Sequence, residues 1–118
     1  MLTYVDDTNT VGSTDGTMFT MPQQGVVSAS AILQNLGTNT LTYHFQQFDG
    51  ANWDEMATIG QPLYNTLIPG QVTQVVITSI YPQVRLNASA SGGSTIGFSV
   101  TRFFNRTQGG SVPLIAGF

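Results

Sequence analysis

Residues 31–56 read AILQNLGTNTLTYHFQQFDGANWDEM, and the way this stretch is punctuated decides the fold. Ala31 and Leu33, then Leu41, Tyr43 and Phe45, fall at every second position, the period of a strand with one buried face. Between them, Asn35-Leu36-Gly37-Thr38-Asn39 and Asp49-Gly50-Ala51-Asn52 hold residues that tolerate positive φ or hydrogen-bond their own backbone. The spacing predicts a strand, a turn, a longer strand over 41–48, a second tight turn and a third strand beginning at Trp53.

The same rhythm extends in both directions. Upstream, residues 26–34 place Val27, Ala29, Ala31 and Leu33 on one face and Ser28, Ser30 and Gln34 on the other, with Ile32 on the polar side. Downstream, Pro69-Gly70 is a turn signal. In residues 71–78, Val72 and Val76 point one way and Val75 and Ile77 the other, the pattern of a strand covered on both sides. Tyr81-Pro82 opens another strand, where proline is tolerated. Val84, Leu86, Ala88 and Ala90 alternate there with Arg85, Asn87 and Ser89. After Ser91-Gly92-Gly93-Ser94, the residues Ile96, Phe98 and Val100 alternate with Gly97, Ser99 and Thr101, which predicts a hairpin. Roughly six to eight short strands at intervals of about 8–15 residues, with no helix-period segment, predict an all-β fold. The architecture expected is a two-sheet antiparallel β-sandwich or a jelly-roll-like barrel.

One domain of 118 residues is expected, large enough to bury roughly two-thirds of its unfolded surface. It divides into an N-terminal arm (1–25), a core sandwich (26–104) and a C-terminal tail (105–118). In the arm, Leu2, Tyr4 and Val5 suggest a short strand, residues 6–16 a polar loop, and residues 17–20 a second short strand. The tail is glycine-rich and then apolar, with Val112, Leu114, Ile115 and Phe118. Apolar ends are a liability on a free monomer. Leu2, Tyr4, Val112, Leu114, Ile115 and Phe118 are therefore candidate contacts, either with the domain's own edge or with a neighbouring subunit or shell.

Charged residues make up only 8% of the chain, the three cations are all arginine, and the net charge is −3. A nucleic-acid binder needs a basic footprint, so no nucleic-acid partner is expected. No apolar run reaches the roughly 18–20 residues of a membrane span, and the start MLTYVDD lacks the features of a signal peptide, so no membrane partner is expected either. Without cysteine there is neither a disulfide framework nor a thiolate metal site. Asp7, Asn9 and Gly12 imitate part of a calcium loop, but Val11 and Met18 fall where oxygen ligands are required. No metal and no cofactor are expected.

Catalytic candidates are few. His44 is the only histidine, mid-strand with Thr42 and Gln46 on its own face, and reads as a satisfied surface or interface side chain. Asp54 and Glu55 are adjacent on a strand and point to opposite faces, so they do not form an acid–base pair, although carboxylates from distant segments can meet. No catalytic residue is assigned, and an enzyme is not expected. Trp53, Tyr64 and Tyr81, with amide-rich neighbours, form an alternative sugar-binding platform. Against that stands the usual place of a lone tryptophan, in the core. Asn87-Ala88-Ser89 and Asn105-Arg106-Thr107 match glycosylation acceptors by chance.

The run from Leu33 through Asn35-Leu36-Gly37-Thr38-Asn39 to Tyr43, followed by Phe48-Asp49-Gly50-Ala51-Asn52-Trp53, resembles a strand–turn–strand module of small tailed-bacteriophage structural proteins. Leu67-Ile68-Pro69-Gly70 and the run from Tyr81-Pro82 to Gly93-Ser94 fit the same likeness, which spans residues 27–104. The resemblance implies a β-sandwich of the capsid decoration or cement type. Such a protein sits on the virion at capsomer junctions, often as a trimer, with the major capsid protein shell as partner, and stabilises it by repeated weak contacts. A tail or fibre component, or a carbohydrate-binding or adhesin module, is the alternative that the same rhythm allows.

Overall fold

The computed structural model describes residues 3–79 and 81–104. Nine strands carry the chain: β1 (Asp7–Val11), β2 (Gly16–Pro22), β3 (Val26–Asn35), β4 (Leu41–Phe48), β5 (Trp53–Met56), β6 (Tyr64–Leu67), β7 (Val72–Ile77), β8 (Gln83–Ser89) and β9 (Ser94–Phe104). They form two antiparallel sheets, one ordered β1-β9-β3-β7, the other β2-β8-β4-β5 with β6 also on β4. Strand β4 pairs with β6 along its first half, from Leu41 with Leu67 to His44 with Tyr64. Along its second half it pairs with β5, from Phe45 with Met56 to Phe48 with Trp53. The two short strands are thus one edge, interrupted by residues 57–63.

The pairing is nested: β4 with β5 and β6, β3 with β7, β2 with β8, and β1 with β9. This is one long two-stranded ribbon, bent back at residues 49–52 and rolled so that its halves stack, which is a jelly roll. The rolled ribbon is closed by two further ladders, β3 with β9 and β4 with β8.

Alternation accounts for the core. Ala29, Ala31 and Leu33 of β3, Val75 and Ile77 of β7 and Ile96 of β9 face Leu41, Tyr43 and Phe45 of β4, Leu67 of β6 and Val84, Leu86 and Ala88 of β8. Phe19, Phe98 and Val100 pack at its margin, with the Phe19 and Phe98 rings 4.8 Å apart.

Several expectations are corrected. The residues after Pro82 do not make a hairpin: β8 lies in one sheet and β9 in the other. The Ser91–Ser94 turn is an arch across the sandwich, with Gly92 and Gly93 both at φ +82°. Two strands whose apolar faces look at each other across a core have the same alternation as two that sit side by side. The polar loop over 6–16 contains β1, and β2 follows, so the segment read as an arm supplies an edge strand to each sheet. Tyr4 and Val5 are not in a strand; Val5 instead lies over Gly97, where a Cβ would collide with it and with Leu36. Val27 is turned outward by a register shift between Val26 and Ser28. Strand β7 is an edge strand covered on one side only, which leaves Val72 and Val76 exposed.

One end of the roll is tied by Asn35, which is fully buried. Its Nδ2 donates to the carbonyls of Asn39 and Leu67, both at 2.8 Å. Its Oδ1 accepts from the Gly37 N–H (3.0 Å) and the Ser94 hydroxyl (2.7 Å). A single side chain thereby joins the β3–β4 arch to the end of β6 and the start of β9.

Candidate functional site

The outer face of the β2-β8-β4-β5 sheet carries a continuous polar network. His44 stands at its centre on β4, and only 5% of it is exposed. Its Nδ1 lies 2.6 Å from Glu55 Oε1 on β5, and its Nε2 lies 2.9 Å from Asp15 Oδ1, just before β2. The Tyr64 ring covers His44, with centroids 4.7 Å apart.

Neighbouring amides extend the network. Gln46 Nε2 donates to Glu55 Oε2 at 2.6 Å, and Asn87 Nδ2 donates to Asp15 Oδ2 at 3.1 Å. The Thr17 hydroxyl donates to Asn87 Oδ1 (2.8 Å), and Arg85 Nε donates to Gln46 Oε1 (2.8 Å). Arg85 also lies over the Trp53 ring, 4.1 Å from its centroid, while Phe48 flanks the same indole at 5.1 Å.

Chemically this is a clamp. Both ring nitrogens of His44 are engaged by carboxylates, and the Thr17 hydroxyl is directed to Asn87. Asp15 and Glu55 lie on opposite sides of the ring, so the three groups do not converge on one ion. Among the described residues no cluster of such side chains is placed to hold a metal.

His44 is therefore satisfied, but it is buried and not on the surface as its sequence context suggests, held between Glu55 of the adjoining strand and Asp15 and covered by the Tyr64 ring. Asp54 takes no part in the network, in keeping with its opposite direction from Glu55. Trp53 is half-buried on the outer face, not in the core, because β5 turns Met56 inward and Trp53 shares the parity of Glu55. Trp53 and Tyr64 share this face, opposite β4 residues four apart, about 13 Å along the strand. Tyr81 sits in the bend before β8, its N–H donating to Ser79 Oγ at 3.1 Å. Asn87 is buried within the network, so it is not presented as a glycosylation acceptor. Tyr4 is 54% exposed, with its N–H donating to Gln34 Oε1 at 3.1 Å. Leu2, Val112, Leu114, Ile115 and Phe118 lie outside the described residues.

A second surface has the opposite character. Between Glu55 and Arg85 the sequence has no Asp, Glu, Lys, Arg or His. The fold places residues 57–77 of this stretch along one lateral edge, where the 57–63 excursion reaches β7. Ile59, Leu63, Ile68, Val72 and Val76 are all exposed there. The Ile59 N–H donates to the Val76 carbonyl at 3.4 Å, which joins the excursion to β7 across the two sheets. Alternation and turn signals do not point to this surface; its signal in the sequence is the long stretch without charge.

No family model, curated protein or solved structure matches this chain.

Proposed function

We propose that this is a non-catalytic structural protein of a virion, binding the outside of a phage capsid at capsomer junctions and stabilising it. The observation that carries the reading is the uncharged lateral edge with its five exposed aliphatic side chains. Exposed apolar patches of this kind mark protein–protein contact. The polar network on the outer face of the β2-β8-β4-β5 sheet supports the same reading, since it ties together all four strand positions of that sheet. Jelly rolls recur in viral capsid and lectin domains, an analogy at the level of fold alone. The capsid as partner rests on the resemblance across residues 27–104.

The test is cosedimentation of the purified protein with capsids of the phage that encodes it, stripped of minor proteins. Saturable binding at a fixed number of copies per capsid, together with a raised temperature of genome release, is the expected result. No binding to capsids, with binding to tails or fibres instead, would overturn the location.

One observation favours a second reading, glycan binding: Trp53 and Tyr64 share a face with His44, Glu55, Gln46 and Asn87. Arg85 covers the indole, so a sugar stacking on Trp53 has to displace it. Titration with a glycan panel, read by Trp53 fluorescence, decides this, and a silent titration removes the reading.

A further inference from the structure

We infer that Arg85 anchors a binding site for an acidic sugar, its guanidinium taking the carboxylate of a uronate- or sialate-type glycan. The inference rests on the glycan-binding reading of this face and names the class of glycan; it is independent of the lateral edge that carries the capsid reading. Arg85 is partly buried on β8, yet among the described residues no carboxylate pairs with it. A cation withdrawn from water is ordinarily paired. The carboxylates of this face are committed elsewhere, Glu55 to His44 and Gln46, and Asp15 to His44 and Asn87.

The arginine side chain is nonetheless held. Its Nε donates to Gln46 Oε1 at 2.8 Å, and its guanidinium carbon lies 4.1 Å from the centroid of the Trp53 ring. These contacts use the Nε–H and one face of the plane, and the terminal Nη groups donate to no other described residue. A planar fork fixed in this way and still unpaired is preorganised for a bidentate contact with a carboxylate, because the freedom of a long side chain is already lost. Thr20 of β2 stands directly opposite Arg85 and is exposed. Cross-strand partners share a face, which places the Thr20 hydroxyl beside the same fork.

Charge limits the ligand to one that is mostly neutral. The chain has a net charge of −3, and Asp15 and Glu55 are bonded on this same face, so a polyphosphate or a sulfated polymer meets repulsion around Arg85. The remaining positions select a sugar over an acidic peptide. Paired residues on this face include Thr42, Thr66, Gln83 and Ser89 and no Val, Leu, Ile or Met. Such a surface suits hydroxyl groups and gives an apolar side chain nothing aliphatic to pack on. A glycan held through Arg85 also leaves the guanidinium on the indole, so it needs no stacking on Trp53.

The experiment is calorimetric titration of the full chain at neutral pH with galacturonate, mannuronate and sialyl oligosaccharides, each beside its methyl ester, and with sodium acetate. The Trp53 indole N–H is followed by NMR in the same titrations. At least one acid form is expected to bind about tenfold or more tighter than its ester and than acetate, and to shift the indole resonance. Arg85→Gln removes the charge, and Thr20→Asp supplies the fork with a carboxylate of its own. Each is expected to weaken the acid form about tenfold and leave any binding of the ester unchanged. Circular dichroism shows whether each variant is folded; Thr20 is exposed on an edge strand, so Thr20→Asp carries the test if Arg85→Gln is not. An ester that binds as well as its acid, or binding that a folded Arg85→Gln or Thr20→Asp leaves unchanged, overturns the inference with the glycan reading intact. Acetate that binds as well as the oligosaccharides overturns the assignment to a sugar. Silence from acids and esters alike overturns the inference and the glycan reading together.

Discussion

Replacing Asn35 with alanine tests how the ends of the roll are held. The substitution removes four side-chain hydrogen bonds at a fully buried position. The bond to the Leu67 carbonyl is wholly buried, and losing it costs about 1–3 kcal/mol because the acceptor is left without a partner. The other three, to the Asn39 carbonyl, the Gly37 N–H and the Ser94 hydroxyl, are partly buried and cost about 0.5–1.5 kcal/mol each. Water entering the vacated space recovers part of this, so the net loss is about 3–5 kcal/mol, a large share of the roughly 5–15 kcal/mol stability of a small domain. Urea unfolding followed by Trp53 fluorescence should show a much lower midpoint with an unchanged slope. Asn35→Asp keeps the acceptor oxygen but offers no proton to the Asn39 and Leu67 carbonyls, so it should be no more stable than the alanine variant at neutral pH. A loss below about 1 kcal/mol for Asn35→Ala would refute the idea that this side chain ties the arches together.

Other perturbations follow from the same structure. Gly93→Ala forces a side chain into φ +82°, in the left-handed region, with the new Cβ 3.4 Å from the Val11 carbonyl; a loss of about 1–2 kcal/mol should appear in thermal unfolding. His44→Ala separates Asp15 from Glu55 and should cost about 1–3 kcal/mol, with hydrogen exchange rising at β5 and before β2 while β3 and β9 stay protected. The N–H groups of Asn52 and Ala51 hold the Asp49 carboxyl below the usual range. Its contribution to the 49–52 turn is therefore present above the ordinary aspartate value and lost as the pH falls through the lowered one, and a carboxyl NMR titration should place Asp49 below the ordinary aspartate value. Burial raises the Tyr43 phenol above its ordinary value. Its neutral form favours the fold below about pH 10, and this is lost as the pH rises through the raised value, so tyrosinate absorbance of a variant keeping Tyr43 alone should show it ionising above about pH 10 or only on unfolding.

What residues 31–56 carry in themselves is strand identity and facing. Leu41, Tyr43 and Phe45 are buried because alternation leaves no other face for them, and Asp49 and Gly50 turn the chain because their backbones and side chains permit it. All-β class and most of the core are legible at this level, since a period of two is a local property. Sheet membership is not local. The 49–52 turn makes a hairpin and the Ser91–Ser94 turn an arch, yet both join alternating strands through glycine-containing turns; which one forms depends on whether β8 finds β4 and β9 finds β3. The polar clamp is partly local and partly not. The β4–β5 register brings Glu55 beside His44 and Gln46 from the hairpin alone, but Asp15 reaches the same ring only when the rolled ribbon lays β2 on β8. Likewise the sequence alone shows a long stretch without charge between Glu55 and Arg85. Only the tertiary structure turns it into a surface, because the excursion between β5 and β6 and the edge strand β7 come from opposite sheets and meet only where the roll closes.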